Sequence, residues 1–352
     1  MGSPNAYFRP EELAYYSRQL VLNEIGLNGQ KKLKKANVLV AGVGGLGCQL
    51  SVQLASMGVG SLKLVDRDVV EVSNLQRQHL YSFDVVGYPK VEAAAMRLSR
   101  VNPFIEIVPL PTSINDRTAG KLLDDVDVVV DGLDRLTPRL ALNRACVEQG
   151  VPYVYGAVIT HVGNVSTIIP GESPCLECWQ GGVDEASIPT CATVGVTPSA
   201  ISVIASIQVS EAIRIILGKR PNLSGGLLFF DLEDLSLEII TLAKADECPV
   251  CGKLAIKPKH DEAVEEVCGR NGRRVFTITP PEFLDFQIPN LEHKLTAEGF
   301  NIKLATRLGV TFTSTNDLIG SMFTTGVAVI EGADSREQAT RIYRKITGTE
   351  VE

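Results

Sequence analysis

Short apolar runs alternate with amphipathic segments through the first part of the chain. Residues 37–41 form an apolar β-type run, and residues 46–57 follow with apolar side chains at helical spacing that ends at Gly58. The same order recurs, with predicted strands at 62–65, 105–109 and 126–131 and predicted helices at 90–101 and 137–149. This alternation predicts a Rossmann-like, doubly wound α/β sheet that is mostly parallel.

The pattern changes after Pro152. Residues 153–169 contain closely spaced β-type runs broken by Gly156 and Gly163, which favour antiparallel pairing and therefore a mixed sheet. An apolar helix at 198–217 and strands at 227–232 and 237–242 complete this part, and an amphipathic helix at 10–24 precedes it. We therefore assign residues 1–252 to one domain.

The chain beyond residue 252 has a different character. It opens with a charged stretch at 257–274 and continues with β and helical patches, including a strand at 326–331 and a helix at 335–346. These patches predict a small α+β appendage at 253–352, whose role the pattern does not indicate.

The composition narrows the range of partners. A chain of 352 residues that is 45% hydrophobic and 21% charged is typical of a globular protein, and its formal net charge of −7 argues against a nucleic-acid partner. We find no stretch that reaches the roughly 20 apolar residues of a membrane helix, and Met1-Gly2-Ser3 does not resemble the start of a signal peptide. We expect a cytoplasmic protein without a membrane partner.

A glycine-rich turn joins the first predicted strand to the helix after it. Its sequence is Gly42-Val43-Gly44-Gly45-Leu46-Gly47, and Asp66 closes the second predicted strand. Glycines let the backbone approach a phosphate, the helix offers free N–H groups, and the carboxylate can accept hydrogen bonds from ribose hydroxyls. Taken alone, this motif predicts a nucleotide site whose ordinary ligand is NAD.

Three polar residues downstream favour ATP over NAD. Asn74, Arg77 and Lys90 follow at positions that this fold places near the carboxyl ends of the strands. Two fixed cations suit a triphosphate and its departing pyrophosphate better than a dinucleotide. The alternative is that Arg77 and Lys90 only solvate a surface.

Residues 65–78 have the sequence Val-Asp-Arg-Asp-Val-Val-Glu-Val-Ser-Asn-Leu-Gln-Arg-Gln. This segment resembles the MoeB/ThiF family, the bacterial and archaeal relatives of the ubiquitin-activating enzymes. Further matches are Tyr16-Ser17-Arg18-Gln19, Gly87-Tyr88-Pro89-Lys90, Asp131-Gly132-Leu133-Asp134, Cys175-Leu176-Glu177-Cys178, Cys191-Ala192-Thr193 and Cys248-Pro249-Val250-Cys251. Together they cover roughly residues 10–252, and their order and spacing are far more specific than the glycine motif alone.

The resemblance implies an ATP-dependent adenylyltransferase that acts on a ubiquitin-like protein ending in Gly-Gly. The terminal carboxylate would attack the α-phosphate of ATP, giving an acyl-adenylate and pyrophosphate. By the same resemblance, Asp66 contacts the ribose, Asn74 and Arg77 contact the phosphates, Lys90 serves the α-phosphate region, and Asp134 holds Mg²⁺. Arg77 and Lys90 would then stabilise the charge that develops at phosphorus.

Asp134 has an alternative role as the N-cap of the helix predicted from Thr137. Its position just beyond a buried strand favours the metal site. The next residue, Arg135, departs from the family, which usually has Asn there, so the detail of metal or nucleotide contact at this point stays open.

Arg18 lies on the first predicted helix. In the family the matching arginine reaches the ATP of the neighbouring subunit across a two-fold interface, so the resemblance implies a homodimer with shared sites. The alternative is an exposed arginine on an amphipathic helix.

Four of the eight cysteines form two C-x-x-C pairs, Cys175/Cys178 and Cys248/Cys251. Two such pairs can meet in a folded chain as a tetrahedral, all-thiolate Zn²⁺ site with no open ligand position. We predict structural zinc rather than four unliganded thiols.

Cys191 follows a segment at 180–189 that we expect to be a flexible crossover loop. In relatives the matching cysteine accepts the activated acyl group or takes part in sulfur transfer, whereas in other members it is dispensable. An idle cysteine is therefore the alternative, and protein modification and sulfur-carrier activation both stay open as pathways. A conjugating enzyme or a sulfurtransferase would be the downstream partner. Cys48 and Cys146 are expected in the core.

Two other classes of function compete with adenylation. A nicotinamide-dependent oxidoreductase shares the glycine turn, but Arg77, Lys90 and Asp134 speak against it. An inactive scaffold that binds ubiquitin-fold proteins would not need the same set of charged residues. We expect an enzyme that uses ATP, Mg²⁺ and structural Zn²⁺.

Overall fold

The computed structural model describes residues 7–188, 191–253, 263–268, 273–314 and 317–351. Eight strands form its first sheet: β1 (Asn37–Ala41), β2 (Ser61–Asp66), β3 (Glu106–Pro111), β4 (Val128–Asp131), β5 (Tyr153–Ile159), β6 (Val162–Ile168), β7 (Gly226–Asp231) and β8 (Ser236–Thr241). Their order across the sheet is β3-β2-β1-β4-β5-β6-β7-β8.

The first five strands run parallel, and the last three pair antiparallel. β1 lies between β2 and β4, and β3 and β5 extend the parallel part on either side. The chain then reverses through the β5–β6 hairpin, where Thr160 has a φ of 52°. β7 and β8 continue the antiparallel part. The predicted doubly wound, mixed sheet is confirmed.

Helices cover both faces of this sheet. They are α1 (Pro10–Tyr15), α2 (Ser17–Leu20), α3 (Gly26–Lys35), α4 (Gly45–Met57), α5 (Lys90–Val101), α6 (Ala119–Leu122), α7 (Leu136–Gln149), α8 (Glu177–Gln180), α9 (Cys191–Val194) and α10 (Pro198–Ile216). Val38 and Val40 of β1 join a core with α4, α5 and α10, whereas Leu39 and Ala41 join a core with α6 and α7. Successive strand residues point to opposite faces, so β1 is buried on both sides.

Helix α10 corrects one expectation from the sequence. By length and composition its 19 residues are apolar enough to cross a membrane, although we expected no such stretch. Half of the helix is buried, and it packs against α4 and the strands β4 to β6. The buried Glu211 on this helix accepts hydrogen bonds from the Thr167 hydroxyl and the Leu223 N–H, both at 2.8 Å. These contacts identify α10 as a core helix of the sheet.

A second, antiparallel sheet follows the first. Its strands are β9 (Val264–Cys268), β10 (Arg274–Ile278), β11 (Asn301–Ala305), β12 (Gly309–Thr313), β13 (Ile319–Phe323) and β14 (Ala328–Glu331), with helices α11 (Ile288–Ala297) and α12 (Arg336–Thr347). They lie in the order β11-β12-β13-β14-β10-β9. A separate core includes Phe276, Leu291, Phe312 and Tyr343, which confirms the α+β character of this part. The domain boundary at 252/253 stays a prediction, because residues 254–262 lie outside the described part.

Three local features differ from the expectations. The predicted helix at 10–24 is divided into α1 and α2, because Tyr16 turns inward between them and its hydroxyl accepts a hydrogen bond from Asn102 at 2.8 Å. The pattern predicts no helix at α3, whose glycines and lysines leave Leu33 as its buried apolar side chain. Strand β9 falls within the charged stretch at 257–274, where no strand is expected.

Candidate functional site

The glycine turn lies between β1 and α4 and is built by close backbone contact. Gly42 has a φ of +82°, and its N–H donates to the carbonyl of Val65 at 2.8 Å. A Cβ added to Gly47 would lie 1.9 Å from the Gly42 oxygen, and one added to Gly132 would lie 2.5 Å from the same oxygen. Three segments therefore meet here at distances that only glycine permits.

The first turn of α4 offers its N–H groups to a ligand. Gly44 is the N-cap of this helix, and within the described structure no side chain caps it. A Cβ placed on Gly44 would meet only the Gln78 side chain, at 3.8 Å, whereas one on Gly45 would lie 2.9 Å from Ile201. An open helix N-terminus beside a glycine turn is a favourable position for a phosphate.

Asp66 ends β2 beside this turn. Its carboxylate accepts the N–H of Val43 at 2.7 Å on one oxygen and the N–H of Asp68 at 2.8 Å on the other. Burial raises the pKa of Asp66, and the charge of Lys90 opposes that rise. Each oxygen of a carboxylate has a further lone-pair site, so this geometry is compatible with the predicted ribose contact.

Lys90 is the first residue of α5 and is 5% exposed. Its Nζ lies 2.7 Å from Asp68 Oδ2. Burial alone would lower the pKa of Lys90, but the charges of Asp66, Asp68 and Asp134 raise it above the usual value of 10.5. The site therefore contains a fixed ammonium group. Sequence reasoning missed Asp68, although it lies two residues after Asp66 on the same loop.

Asn74 and Arg77 lie on the loop between β2 and α5. Arg77 approaches the glycine turn, because its Cδ would be 3.9 Å from a Cβ on Gly45, and its guanidinium donates to the Ser73 carbonyl at 2.9 Å. Asn74 is buried, and its Oδ1 accepts the Glu71 N–H at 3.2 Å. In this geometry Asn74 shapes the loop, and its predicted phosphate contact stays a prediction.

Asp134 is exposed on the loop between β4 and α7, and buried groups behind it fix that loop. Asp131 accepts the Leu133 N–H at 2.8 Å and the Tyr153 hydroxyl at 2.8 Å, and it pairs with Arg139 Nε at 2.9 Å. Sequence reasoning missed Arg139. Its position one helical turn inside α7, facing the end of the strand, could have indicated its pairing with Asp131.

Glu185, from the expected crossover loop, caps α7. Its carboxylate accepts the N–H of Leu136 at 2.7 Å and the Thr137 hydroxyl at 2.7 Å, and it pairs with Arg135 at 2.8 Å. The alternative of Asp134 as the N-cap is therefore wrong, since α7 begins at Leu136 and takes its cap from another segment. The loop expected to be flexible is anchored at Glu185. No local pattern signals a contact over 49 positions.

Arg18 is exposed on α2 and lies far from the glycine turn of its own chain. The neighbouring Gln19 donates to the carbonyl of Met57, the last residue of α4, at 2.8 Å. The glycine turn is at the opposite end of that helix, roughly 18 Å away at 1.5 Å per residue. Within one chain the structure does not bring Arg18 to the site.

The four cysteines of the C-x-x-C pairs converge. Sγ separations are 4.0 Å for Cys175–Cys178, 3.6 Å for Cys175–Cys248 and 3.4 Å for Cys178–Cys251, and all four sulfurs lie within 4.8 Å of one another. Tetrahedral zinc with Zn–S bonds of about 2.3 Å requires sulfurs about 3.8 Å apart. The cluster therefore fits a zinc ion, as the sequence predicts.

The remaining candidates are less informative. Cys191 is the first residue of α9, but its side chain lies outside the described part of the structure, so its covalent role stays a prediction. Cys48 and Cys146 are buried, as expected for core cysteines. The Cys48 thiol lies 3.5 Å from the Val43 carbonyl oxygen and so packs beneath the glycine turn.

Comparison with known proteins identifies relatives along most of the chain. The model of the ThiF family matches residues 16–250. The SAMP-activating enzyme E1 of Haloferax volcanii is 36% identical over 258 residues, which cover 73% of this chain and 95% of that protein. The sulfur carrier protein ThiS adenylyltransferase of Bacillus subtilis is 33% identical over 342 residues, 95% of this chain and 99% of that protein.

Solved structures show the same fold. The crystal structure of Escherichia coli MccB aligns with a TM-score of 0.61 and 25% identity, covering 70% of this chain and 75% of that chain.

Proposed function

The chain belongs to the ThiF family, and from this premise we propose that it is an ATP-dependent adenylyltransferase acting on the C-terminal glycine of a ubiquitin-like protein. Its relatives are activating enzymes and adenylyltransferases for such carriers. They give no support to a nicotinamide-dependent oxidoreductase or to an inactive scaffold.

The fixed ammonium of Lys90 is the observation that carries the proposal. It lies beside Asp66 and Asp68, at the strand ends that also hold the glycine turn. A preformed cation at this place can stabilise the charge that develops on an α-phosphate, and the open first turn of α4 can bind phosphate oxygens. Arg77, whose Cδ lies near the same turn, supplies a second positive charge.

The proposed reaction needs no protein base, because the attacking carboxylate is already ionised. A carboxylate oxygen of the terminal glycine attacks the α-phosphorus of ATP and forms the new P–O bond. The bond from that phosphorus to the bridging oxygen breaks, and pyrophosphate leaves with the electron pair. In this scheme Asp66 orients the ribose, Lys90 and Arg77 stabilise phosphorus-centred charge, and the rigid glycine turn fixes the phosphates.

Asp134 is the proposed ligand of Mg²⁺. Its exposed carboxylate stands on a loop fixed by Asp131, and oxygen is the ligand atom that Mg²⁺ prefers. Bound there with ATP, Mg²⁺ would neutralise charge on the departing pyrophosphate.

Cys191 is proposed as the next acceptor of the acyl group. Its thiolate would attack the carbonyl of the acyl-adenylate, forming a thioester as AMP leaves. The names of relatives include both a SAMP-activating enzyme and a sulfur-carrier adenylyltransferase, so a thioester and a sulfur-transfer route are the two outcomes to separate. The corresponding downstream partner is a conjugating enzyme or a sulfurtransferase.

The proposed enzyme is a homodimer. Arg18 is next to Gln19, which contacts the end of α4 that lies roughly 18 Å from the glycine turn, so we propose that Arg18 serves the ATP site of a second subunit.

Pyrophosphate exchange into ATP tests the proposal. Native protein is assayed with ubiquitin-fold partners ending in Gly-Gly, and the same partners lacking the last glycine serve as matched controls. We expect exchange only with the intact tail and its loss in Asp134→Ala. Absence of exchange with every partner, together with tight NAD binding, would contradict the proposal. An adduct to the partner that is lost in Cys191→Ala assigns the thiol, whereas one that survives excludes it.

A further inference from the structure

The second sheet, β9 to β14, packs against the loop that joins β2 to α5. We infer that this sheet positions Lys90 and Asp66 for ATP, with Glu92 and Glu265 as the positioning residues. The inference rests on the proposed function, because it concerns the same nucleotide site. It gives a role to the C-terminal part of the chain, whose sequence carries no recognisable active-site motif.

Glu92 joins the first turn of α5 to the turn between β11 and β12. It lies two residues after Lys90 and is 5% exposed. Its two carboxylate oxygens accept the backbone N–H groups of Arg307 and Leu308, each at 3.0 Å. A buried carboxylate with two backbone donors is a strong, directional contact, so the first turn of α5 is tied to the second sheet.

The residues just before Lys90 are also held by the second sheet. A Cβ on Gly309 would lie 3.2 Å from Pro89 Cγ and 2.8 Å from Phe323, so Pro89 packs against a glycine that cannot gain a side chain without displacement. A Cβ on Gly87 would lie 3.1 Å from Leu304. The segment just before Lys90 is therefore packed against β11 to β13.

A second anchor lies beside Asp66. The guanidinium of the next residue, Arg67, pairs with Glu265 of β9 at 2.9 Å, and Asn115 donates to the other oxygen of Glu265 at 3.1 Å. Thr325, in the turn between β13 and β14, donates to the carbonyl of Pro111, the last residue of β3, at 2.6 Å. The second sheet therefore contacts the ends of β2 and β3 as well as the start of α5.

These anchors act on the two site residues in different ways. Lys90 stabilises charge that develops during the reaction. Displacing Lys90 therefore lowers kcat more than it lowers the affinity for ATP. Asp66 contacts the ribose, which is alike in the ground state and the transition state, so its displacement lowers the affinity for ATP instead. A purely structural role for the second sheet predicts no such division.

The first test is the variant Glu92→Gln in the full chain. The amide of glutamine has one acceptor oxygen and one NH₂ group, so it can accept only one of the two backbone N–H groups. Its NH₂ group would face the other N–H, and both are donors. We expect kcat for pyrophosphate exchange to fall about tenfold, with KM for ATP changed less than threefold. The rate is expressed per ATP-binding site, counted by equilibrium binding, so that a partly unfolded preparation does not imitate the effect.

The second test is a cycle of Arg67→Ala, Glu265→Ala and the double variant, with the Kd for ATP measured by calorimetry. Each single variant should weaken ATP binding about fivefold, and the double variant should bind ATP no more weakly than Glu265→Ala, since each single variant already breaks the Arg67–Glu265 pair. This measurement needs no ubiquitin-fold partner. It therefore tests the inference even if no pyrophosphate exchange is found and the proposed function is rejected.

Lys121→Ala is the matched control. It removes the exposed Lys121–Glu282 pair at 2.5 Å, another contact with the chain of the second sheet, at a point away from Lys90 and Asp66. We expect its kcat and its Kd for ATP to match those of native protein. An unchanged kcat per site in Glu92→Gln, with an unchanged Kd in Arg67→Ala and Glu265→Ala, overturns the inference.

Discussion

Lys90 carries its charge before any ligand arrives. Burial would lower its pKa, yet Asp66, Asp68 and Asp134 raise it above 10.5. While these carboxylates are ionised, the stabilisation from the protonated amine is present below pH 10.5, and it is lost as the pH rises through the folded pKa of Lys90. A cation that is already fixed requires no reorganisation as charge develops at phosphorus.

Replacing Lys90 with methionine removes this charge while keeping a long side chain. We expect kcat for pyrophosphate exchange to fall by about 10²–10³, the range found when one preorganised charge-stabilising donor is lost. Lys63→Met is the control, because Lys63 lies on β2, three residues before Asp66, but donates to the carbonyls of Leu122 and Asp124. A Lys90→Met enzyme with a kcat near native would show that the ammonium is not used.

The residues of the site differ in how far the sequence identifies them. The glycine turn, Asp66 and Lys90 belong to local motifs, so their spacing predicts their shared location. Arg139 and Glu185 do not, since each acts through a contact made only after folding. Asn74 also belongs to the motif, but its burial and its bond to the Glu71 N–H show a role in shaping the loop that the spacing does not indicate.

Helix α7 depends on a cap that comes from a distant segment. Partial burial raises the pKa of Glu185, but the Thr137 hydroxyl and the Arg135 guanidinium outweigh it, so the pKa lies below 4.5. The cap therefore stabilises the fold above pH 4.5, and its contribution is lost as the pH falls through the folded pKa.

Glu185→Gln should lower the free energy of unfolding by about 1 kcal/mol at pH 7. The difference from native protein should shrink as the pH is lowered below the pKa of the carboxyl. Urea unfolding at pH 7 and at acidic pH measures both values, with the exposed Glu172→Gln as control. An equal difference at both pH values would contradict an ionised cap.

Elements with strong hydrophobic periodicity are predicted well. Helix α5 and strand β1 have the bounds that the sequence indicates, because apolar spacing and terminal signals coincide there. Helix α3 is missed because its glycines and lysines leave no apolar period, and strand β9 because it is only five residues long within a charged stretch, so both owe their structure to tertiary packing and strand pairing. The pairing of β10 with β14 in the second sheet joins residues fifty or more positions apart, such as Phe276 and Ile330, and periodicity does not report such a contact.

The cysteine cluster connects two distant parts of the whole chain. Cys175 and Cys248 are 73 positions apart, and their sulfurs lie 3.6 Å from each other. We expect about one zinc per chain by metal analysis. Chelation should lower the thermal midpoint of native protein to that of Cys248→Ser and leave the variant unchanged. A native midpoint insensitive to chelator, with no zinc found, would exclude a structural metal.

Mixing of inactive subunits tests the dimer. If Arg18 serves the partner's site, an equal mixture of Arg18→Ala and Lys90→Met chains recovers about a quarter of native exchange, because half of the dimers hold one complete site. A mixture of Lys90→Met and Asp134→Ala should recover nothing, since both residues serve the site of their own chain. Equal recovery in the two mixtures would reject a role for Arg18 across the interface.

The backbone beside Cys191 limits how far that residue can travel. Gly195 accepts the N–H of Thr160 at 2.9 Å, and Thr197 donates to the Thr160 carbonyl at 2.8 Å, so the β5–β6 hairpin tethers the chain just after the cysteine. Four residues span at most about 14 Å when fully extended. The Cα atom of Cys191 therefore stays within that distance of Gly195, so an acyl-adenylate that reacts with the thiol must bind close to the β5–β6 hairpin.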